Sequence, residues 1–164
     1  WMQKLDTSFN WMLDWASYKS GFGVAGSNFW LGLENIHQLT TSQPYRLRIE
    51  MNLGGATGFK SLEYWSFMVG DEASTEYRIN VAGHSGDLYD VFHCSIAYQA
   101  NDNMPFSTYD QGPASRSCVS INAAGWWYNQ CWCICMTCAN QLGVTIGGFD
   151  TNIYPPIRMM MKLQ

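Results

Sequence analysis

Four of the six cysteines stand within eight residues of one another, at 131, 133, 135 and 138, in the segment WYNQCWCICMTC. The other two are Cys94 and Cys118. No other feature restricts the fold as much, because such a run must be either cross-linked or wrapped around a metal. The CxCxxC spacing from Cys133 to Cys138 is permissive for a zinc or iron–sulfur nest. Metal sites usually add paired knuckles or histidines, however, and His37, His84 and His93 follow no matching pattern. An oxidised extracellular fold is the favoured reading, with a cysteine-cluster metal-binding domain as the alternative. Spacing alone selects no pairing among the many that six cysteines allow. Within one strand, Cys133 and Cys135 would sit about 7 Å apart on the same face, too far for an easy mutual bridge.

The rest of the composition narrows the class. Charged residues are 13% of the chain, roughly half the usual share. The formal net charge is −4, against 8 Trp, 9 Tyr and 8 Phe. So large an aromatic load excludes disorder, and so few cations exclude a phosphate-tracking nucleic-acid groove. No run of 18 apolar residues is present, so no membrane span is expected. Residues 1–20 carry no signal-peptide pattern, and no N-x-S/T sequon marks a glycosylation site.

Along the chain, FNWMLDWASYK (9–19) has apolar groups at 9, 12, 13, 15 and 18, which predicts an amphipathic helix capped by Asn10 and ended by Gly21 and Gly23. FWLGLENIHQLT (29–40) predicts a second short helix burying Trp30, Leu33, Ile36 and Leu39, stopped by Pro44. The period then becomes two. YRLRIEM (45–51) alternates strictly, with Tyr45, Leu47, Ile49 and Met51 on one face and Arg46, Arg48 and Glu50 on the other. LEYWSFMVG (62–70) and EYRINVAG (76–83) follow as strands, and IRMMMKLQ (157–164) as a strand returning to the sheet. Arg46 and Arg48 read as a solvated strand face in preference to an anion site. Residues 88–148 have few clear periods and predict irregular, cross-linked loops. Trp126 and Trp127 are consecutive, so in a strand one would point in and the other out.

Catalytic signatures are lacking: there is no GxSxG, HExxH, GxGxxG or GxxxxGK[ST], and Asp87, Asp90, Glu34 and Glu63 form no convincing carboxylate pair. A non-enzymatic recognition surface is favoured, since Trp and Tyr offer contact area at low entropic cost while Asn, Ser and backbone groups supply neutral hydrogen bonds.

These segments, in this order, resemble the fibrinogen-related domains of fibrinogen chains, ficolins, tachylectins, angiopoietin-like proteins and tenascins. The resemblance is carried by FNWMLDWASYKSGFG (9–23), FWLGLENIHQLT (29–40), YRLRIEM (45–51), EYWSFMVGDEASTEYRINVAGHSGD (63–87), FSTYD (106–110), AGWWYNQC (124–131) and ANQLG (139–143). It implies an α+β fold: an antiparallel sheet with short packed helices and an irregular, disulfide-linked, loop-rich subdomain. The expected layout is a single partial domain over 1–164, with sheet and helices in 1–87, a binding subdomain in 88–156 and the returning strand in 157–164. The family's N-terminal subdomain has no matching segment.

The resemblance further implies a Cys118–Cys131 disulfide and a cis peptide at Cys131–Trp132, where the family usually has His in place of Trp132. It leaves Cys94, Cys133, Cys135 and Cys138 unpaired by analogy, open to two new bridges or to free thiols. Candidate ligand-binding residues are Tyr128, Cys131, Trp132 and Asn140. The family's calcium loop reads DQGPASRSC here, from Asp110 to Cys118, with Gly112 and Ala114 at later ligand positions. Calcium takes six to eight oxygens, several from carboxylates. Asp110 is therefore a residual calcium-site candidate, and no cofactor is expected. An aromatic wall of the family's acetyl pocket is replaced by Asn122. The expected function is a secreted, lectin-like domain binding glycans or acetylated surface groups in defence. The alternative is an extracellular protein-interaction domain of the angiopoietin, fibrinogen or tenascin kind. Homo-oligomers are compatible with either.

Overall fold

The computed structural model describes residues 1–54, 58–94, 97–138, 143–146, 149–152 and 154–164, with the backbone alone described over 143–146, 149–152 and at 154. Strand β1 (Met2–Lys4) leads to helix α1 (Trp15–Ser20), strands β2 (Phe22–Gly23) and β3 (Phe29–Trp30), and helix α2 (Leu33–Ser42). Strands β4 (Tyr45–Asn52) and β5 (Phe59–Val69), helix α3 (Glu72–Thr75) and strand β6 (Ile79–Gly86) follow. The second half holds a 3₁₀ turn (Ala97–Gln99), helix α4 (Arg116–Asn122), the hairpin β7 (Gly143–Ile146) and β8 (Phe149–Asn152), and strand β9 (Tyr154–Leu163). One antiparallel sheet runs β2-β3-β1-β9-β4-β5-β6.

The alternation in β4 does what its sequence predicts. Leu47, Ile49 and Met51 are fully buried, while Arg46 is exposed and Arg48 and Glu50 are half-buried on the other face. The returning strand exists but is longer than expected and central: β9 pairs with β1 on one side and β4 on the other, placing Met159 between Met2 and Ile49. Its inward residues Ile157 and Met159 are buried.

Helical periodicity overstated both early helices. Residues 9–14 are not helical; buried Trp11 and half-buried Phe9 form a ring cluster with Phe22, at centroid separations of 5.4–5.6 Å. Asn10 accepts from the Met12 amide, and the helix is capped by Asp14, which accepts from the Ser17 amide at 2.9 Å. A side-chain acceptor at this position satisfies an orphan helix amide. Gly21, at φ +95°, ends the helix where a Cβ would sit 2.6 Å from the Leu31 carbonyl oxygen. Phe29 and Trp30 are strand, and α2 starts at Leu33. Leu39 is exposed (39%) and Thr40 is buried in its place, its hydroxyl donating to the Ile36 carbonyl and accepting from the Val69 amide. The helix thus locks to β5 through a polar residue that an apolar pattern cannot reveal. Tyr77 lies inside the strand predicted over 76–83 but ahead of the observed one: it is fully buried at φ +53°, and β6 begins at Ile79.

Trp126 and Trp127 are both fully buried, against the expectation of one facing out. They do not lie in a regular strand. Trp126 bridges to Ser107, and the Trp127 indole donates to the Tyr77 carbonyl at 2.8 Å while its ring meets Phe106 edge-on. Their rings pack on each other and join aromatics of both halves, Trp127 on Trp1, Trp30 and Phe106 and Trp126 on Phe92.

Candidate functional site

Three disulfides organise the irregular half: Cys94–Cys133, Cys118–Cys131 and Cys135–Cys138. The Cys118–Cys131 pairing implied by the resemblance is present, and the four unassigned cysteines form two further bridges. No group of three or more His, Cys, Asp or Glu among the described residues is arranged to hold a metal.

Helix α4 presents one end of the site. Ser115 caps it through the Ser117 amide, and Ala123 ends it in the left-handed region at φ +50°. Cys118, Val119 and Asn122 face inward, while Ile121 stands 54% exposed. Asn122 donates to the Cys118 carbonyl at 2.6 Å and accepts from the indole Nε1 of Trp132 at 2.8 Å. Trp132 is half-buried and packs its ring against the core. Its two chain neighbours are anchored in different places, Cys131 to α4 and Cys133 to Cys94.

Asn101 holds the segment from beneath. Fully buried, it donates to the Trp127 carbonyl at 2.7 Å and accepts from the amides of Cys133 and Ile134 at 3.1 and 3.0 Å. Lys4 of β1 does the same for the end of the segment. It is fully buried, its Nζ donates to the Cys138 carbonyl at 2.7 Å, and it lies 5.8 Å from the centroid of the Trp11 ring. Burial pushes the Lys4 ammonium down to about 8, against a smaller upward pull from Asp6. Neither residue was among the sequence candidates. A lone Asn among loops and a Lys in a three-residue strand give no local signal of burial.

The candidates fall in different places. Cys131 and Trp132 are half-buried at the mouth of the Cys118–Cys131 bridge. Tyr128 is 3% exposed, and its hydroxyl donates to the Ala124 carbonyl at 2.8 Å. Burial raises its phenol above the ordinary range. Tyr128 is therefore core in this structure and offers no wall to an open pocket. Asn140 lies outside the described residues. The cis bond expected at Cys131–Trp132 is instead found at Pro155–Pro156; the chain reverses at Cys131 through φ +63°, with its carbonyl accepting from the Asn129 amide.

Asp110 is exposed, but one of its carboxylate oxygens accepts from the Trp15 amide at 3.0 Å and the Thr108 hydroxyl at 2.7 Å. It thus supports the start of α1. Gly112 packs so closely on Ser107 that a Cβ would come within 2.5 Å of its hydroxyl. With Gly112 and Ala114 supplying no carboxylate, this loop's donors do not fit the oxygen-rich shell that calcium takes.

The geometry defines a disulfide-stapled α+β domain that displays a pinned tryptophan beside a helix end. The family model for the C-terminal globular domain of fibrinogen beta and gamma chains matches residues 1–148, and the chain belongs to that family. Fibrinogen-like protein A of Apostichopus parvimensis is 36% identical over 134 residues, covering 79% of this chain and 45% of that protein. The chain spans under half the length of the curated relatives it matches. The fibrinogen-like globe domain of human ANGPTL2 superposes with a TM-score of 0.81 at 28% identity, over 99% of this chain and 78% of that one. Lamprey fibrin D-dimer complexed with the peptide ligand Gly-His-Arg-Pro-amide gives a TM-score of 0.74 at 31% identity, over 90% of this chain and 48% of that one.

Proposed function

We propose that the domain is a secreted, non-enzymatic recognition module that takes an extracellular protein segment at Cys131 and Trp132, beside the end of α4. One observation carries the reading: Trp132 sits between two cysteines bridged to separate parts of the chain, and its indole is fixed by Asn122. An aromatic side chain ordered before binding loses little freedom on binding, which is the condition for a contact that dominates affinity. The solved complex of lamprey fibrin with a short peptide supports a peptide over a sugar as ligand for this fold. Asn122 in place of the acetyl pocket's aromatic wall, together with the burial of Tyr128, favours a peptide over an acetylated sugar.

A displayed random-peptide library selected against the oxidised domain tests the proposal. Enriched peptides should lose binding to Trp132→Ala at least tenfold and keep most of it with Trp132→Phe, while free N-acetylated sugars leave binding unchanged. Circular dichroism of both variants separates loss of contact from loss of fold. Enrichment indifferent to Trp132 would overturn the assignment, and competition by N-acetylated sugars would restore the lectin-like one.

A further inference from the structure

The face of the sheet turned away from the core carries an uneven charge pattern. Across strands β9 and β4, Arg46 stands directly opposite Lys162, Arg48 opposite Met160, and Glu50 opposite Arg158. Arg48 is neutralised by Glu50 at 2.9 Å and Glu63 at 3.0 Å. Arg46 and Lys162 are both exposed, and neither enters an ion pair among the described residues. Like charges directly opposite each other on neighbouring strands oppose pairing. The sheet tolerates this one at its most solvated row, in a chain whose net charge is −4.

The same row continues into an aromatic platform. On its β5 side, Arg46 faces the irregularity where the register steps from Tyr45↔Phe67 to Leu47↔Tyr64, which leaves Trp65 and Ser66 both pointing outward. Trp65 is 54% exposed. Its ring lies over Gly83 of β6, where a Cβ would come within 2.8 Å of the indole, and its Nε1 donates to the Ser85 hydroxyl at 3.3 Å. Gly83 has φ +59°, so the bare backbone under the ring is conformationally required as well. A large apolar ring is thus held open over β6, on the same sheet face as two cations that form no ion pair among the described residues.

We propose that this row of Lys162, Arg46 and Trp65 binds a sulfated polysaccharide. Adjacent strands lie about 4.8 Å apart and the indole lies over the fourth strand from Lys162, so the two cations and the ring form a strip about 14 Å long, the reach of a short oligosaccharide. Sulfates occupy the Arg46–Lys162 pair and relieve its repulsion. The C–H face of a neighbouring sugar ring covers Trp65. An acidic polypeptide would satisfy the charges but offers no flat apolar face for the indole. The acidic remainder of the surface repels polyanions and confines contact to this strip.

Calorimetric titration of the oxidised domain with size-defined heparin fragments, repeated from 50 to about 300 mM salt, tests the site. The Arg46→Ser/Lys162→Ser variant should lose at least tenfold in affinity, with a salt slope shallower by about 2, as expected when two ionic contacts disappear. Trp65→Ala should lose several-fold with the slope unchanged. Because the pair repels, the double variant should melt no lower than the wild type, which a merely structural role for these cations would not give. Equal binding of desulfated heparin, or an unchanged affinity in the double variant, would overturn the proposal. Binding of poly-glutamate as tight as that of heparin, with no loss in Trp65→Ala, would reassign the strip to acidic polypeptides and equally defeat it.

Discussion

Lys4 makes the stability of this domain rise with pH in a range where most proteins are flat. Its ammonium is fully buried and donates to the carbonyls of Cys138 at 2.7 Å and Thr137 at 3.4 Å. Burial lowers its folded pKa from 10.5 to about 8. Below pH 8 the group is protonated in both states and the cost of burying the charge is fully present. Between pH 8 and 10.5 the unfolded chain keeps the proton that the folded chain has released. The unfolded state then binds more protons, so stability increases with pH. The whole shift is worth about 3 kcal/mol. Tyr18, Tyr64, Tyr77 and Tyr128 act in the opposite sense, because burial raises each phenol while unfolded tyrosines ionise near pH 10. Stability should therefore climb from pH 8, peak near pH 10 and fall beyond it. Urea denaturation of the oxidised protein at half-unit steps from pH 7 to 11 measures the curve. Lys4→Met removes the charge but leaves two carbonyls short of a donor, so its stability at pH 7 should lie within about 2 kcal/mol of wild type. Its rising limb should vanish. A flat or falling wild-type curve between pH 8 and 10, or an unchanged rise in Lys4→Met, would refute the reasoning.

Asn101→Leu should cost about 3 kcal/mol or more in urea denaturation, since it strands the Trp127 carbonyl and the Cys133 and Ile134 amides. Paired serine replacements should destabilise more at Cys94 and Cys133, separated by 39 residues, than at Cys118 and Cys131, separated by 13. The chain-entropy estimates are about 4 and about 3 kcal/mol, and the same denaturation curves compare them. Gly83→Ala should displace the Trp65 ring and change its fluorescence, because the added methyl would meet indole atoms at 2.8 Å and adopt an unfavourable φ.

The sheet was legible where one face is wet and the other dry. In YRLRIEM each inward position is apolar and each outward position charged, so strand, face and approximate ends all follow from the residues. The same logic fails for Phe9 and Trp11, which pack through a ring cluster with Phe22 and not through a helical stripe. It fails for β1, too short for a period and carrying an inward lysine. In the site, Cys118–Cys131 was recoverable through the resemblance, whereas Cys94–Cys133 spans 39 residues without local signal. Tyr128 is a ligand-binding candidate through the resemblance alone, yet its depth is set by how the whole segment packs. That information lies in contacts with Ala124 and Cys138 and not in any spacing.

The extra bridges also bear on why this chain tolerates a calcium loop without the usual carboxylates. A bound ion in such a loop would fix backbone by coordination. Here the loop rests on Asp110 and Ser107, which accept or approach backbone at Trp15, Ala114 and Gly112. The segment after it is fixed by covalent bonds on both sides of Trp132 and by Asn101 below. The constraint on this segment is thus covalent, in cross-links that persist wherever the medium is oxidising. Display of Trp132 should consequently withstand chelators and yield to reductants. Its order depends on Cys94–Cys133 although neither cysteine need touch a ligand, so opening that bridge should weaken binding by restoring freedom to the loop and not by removing a contact.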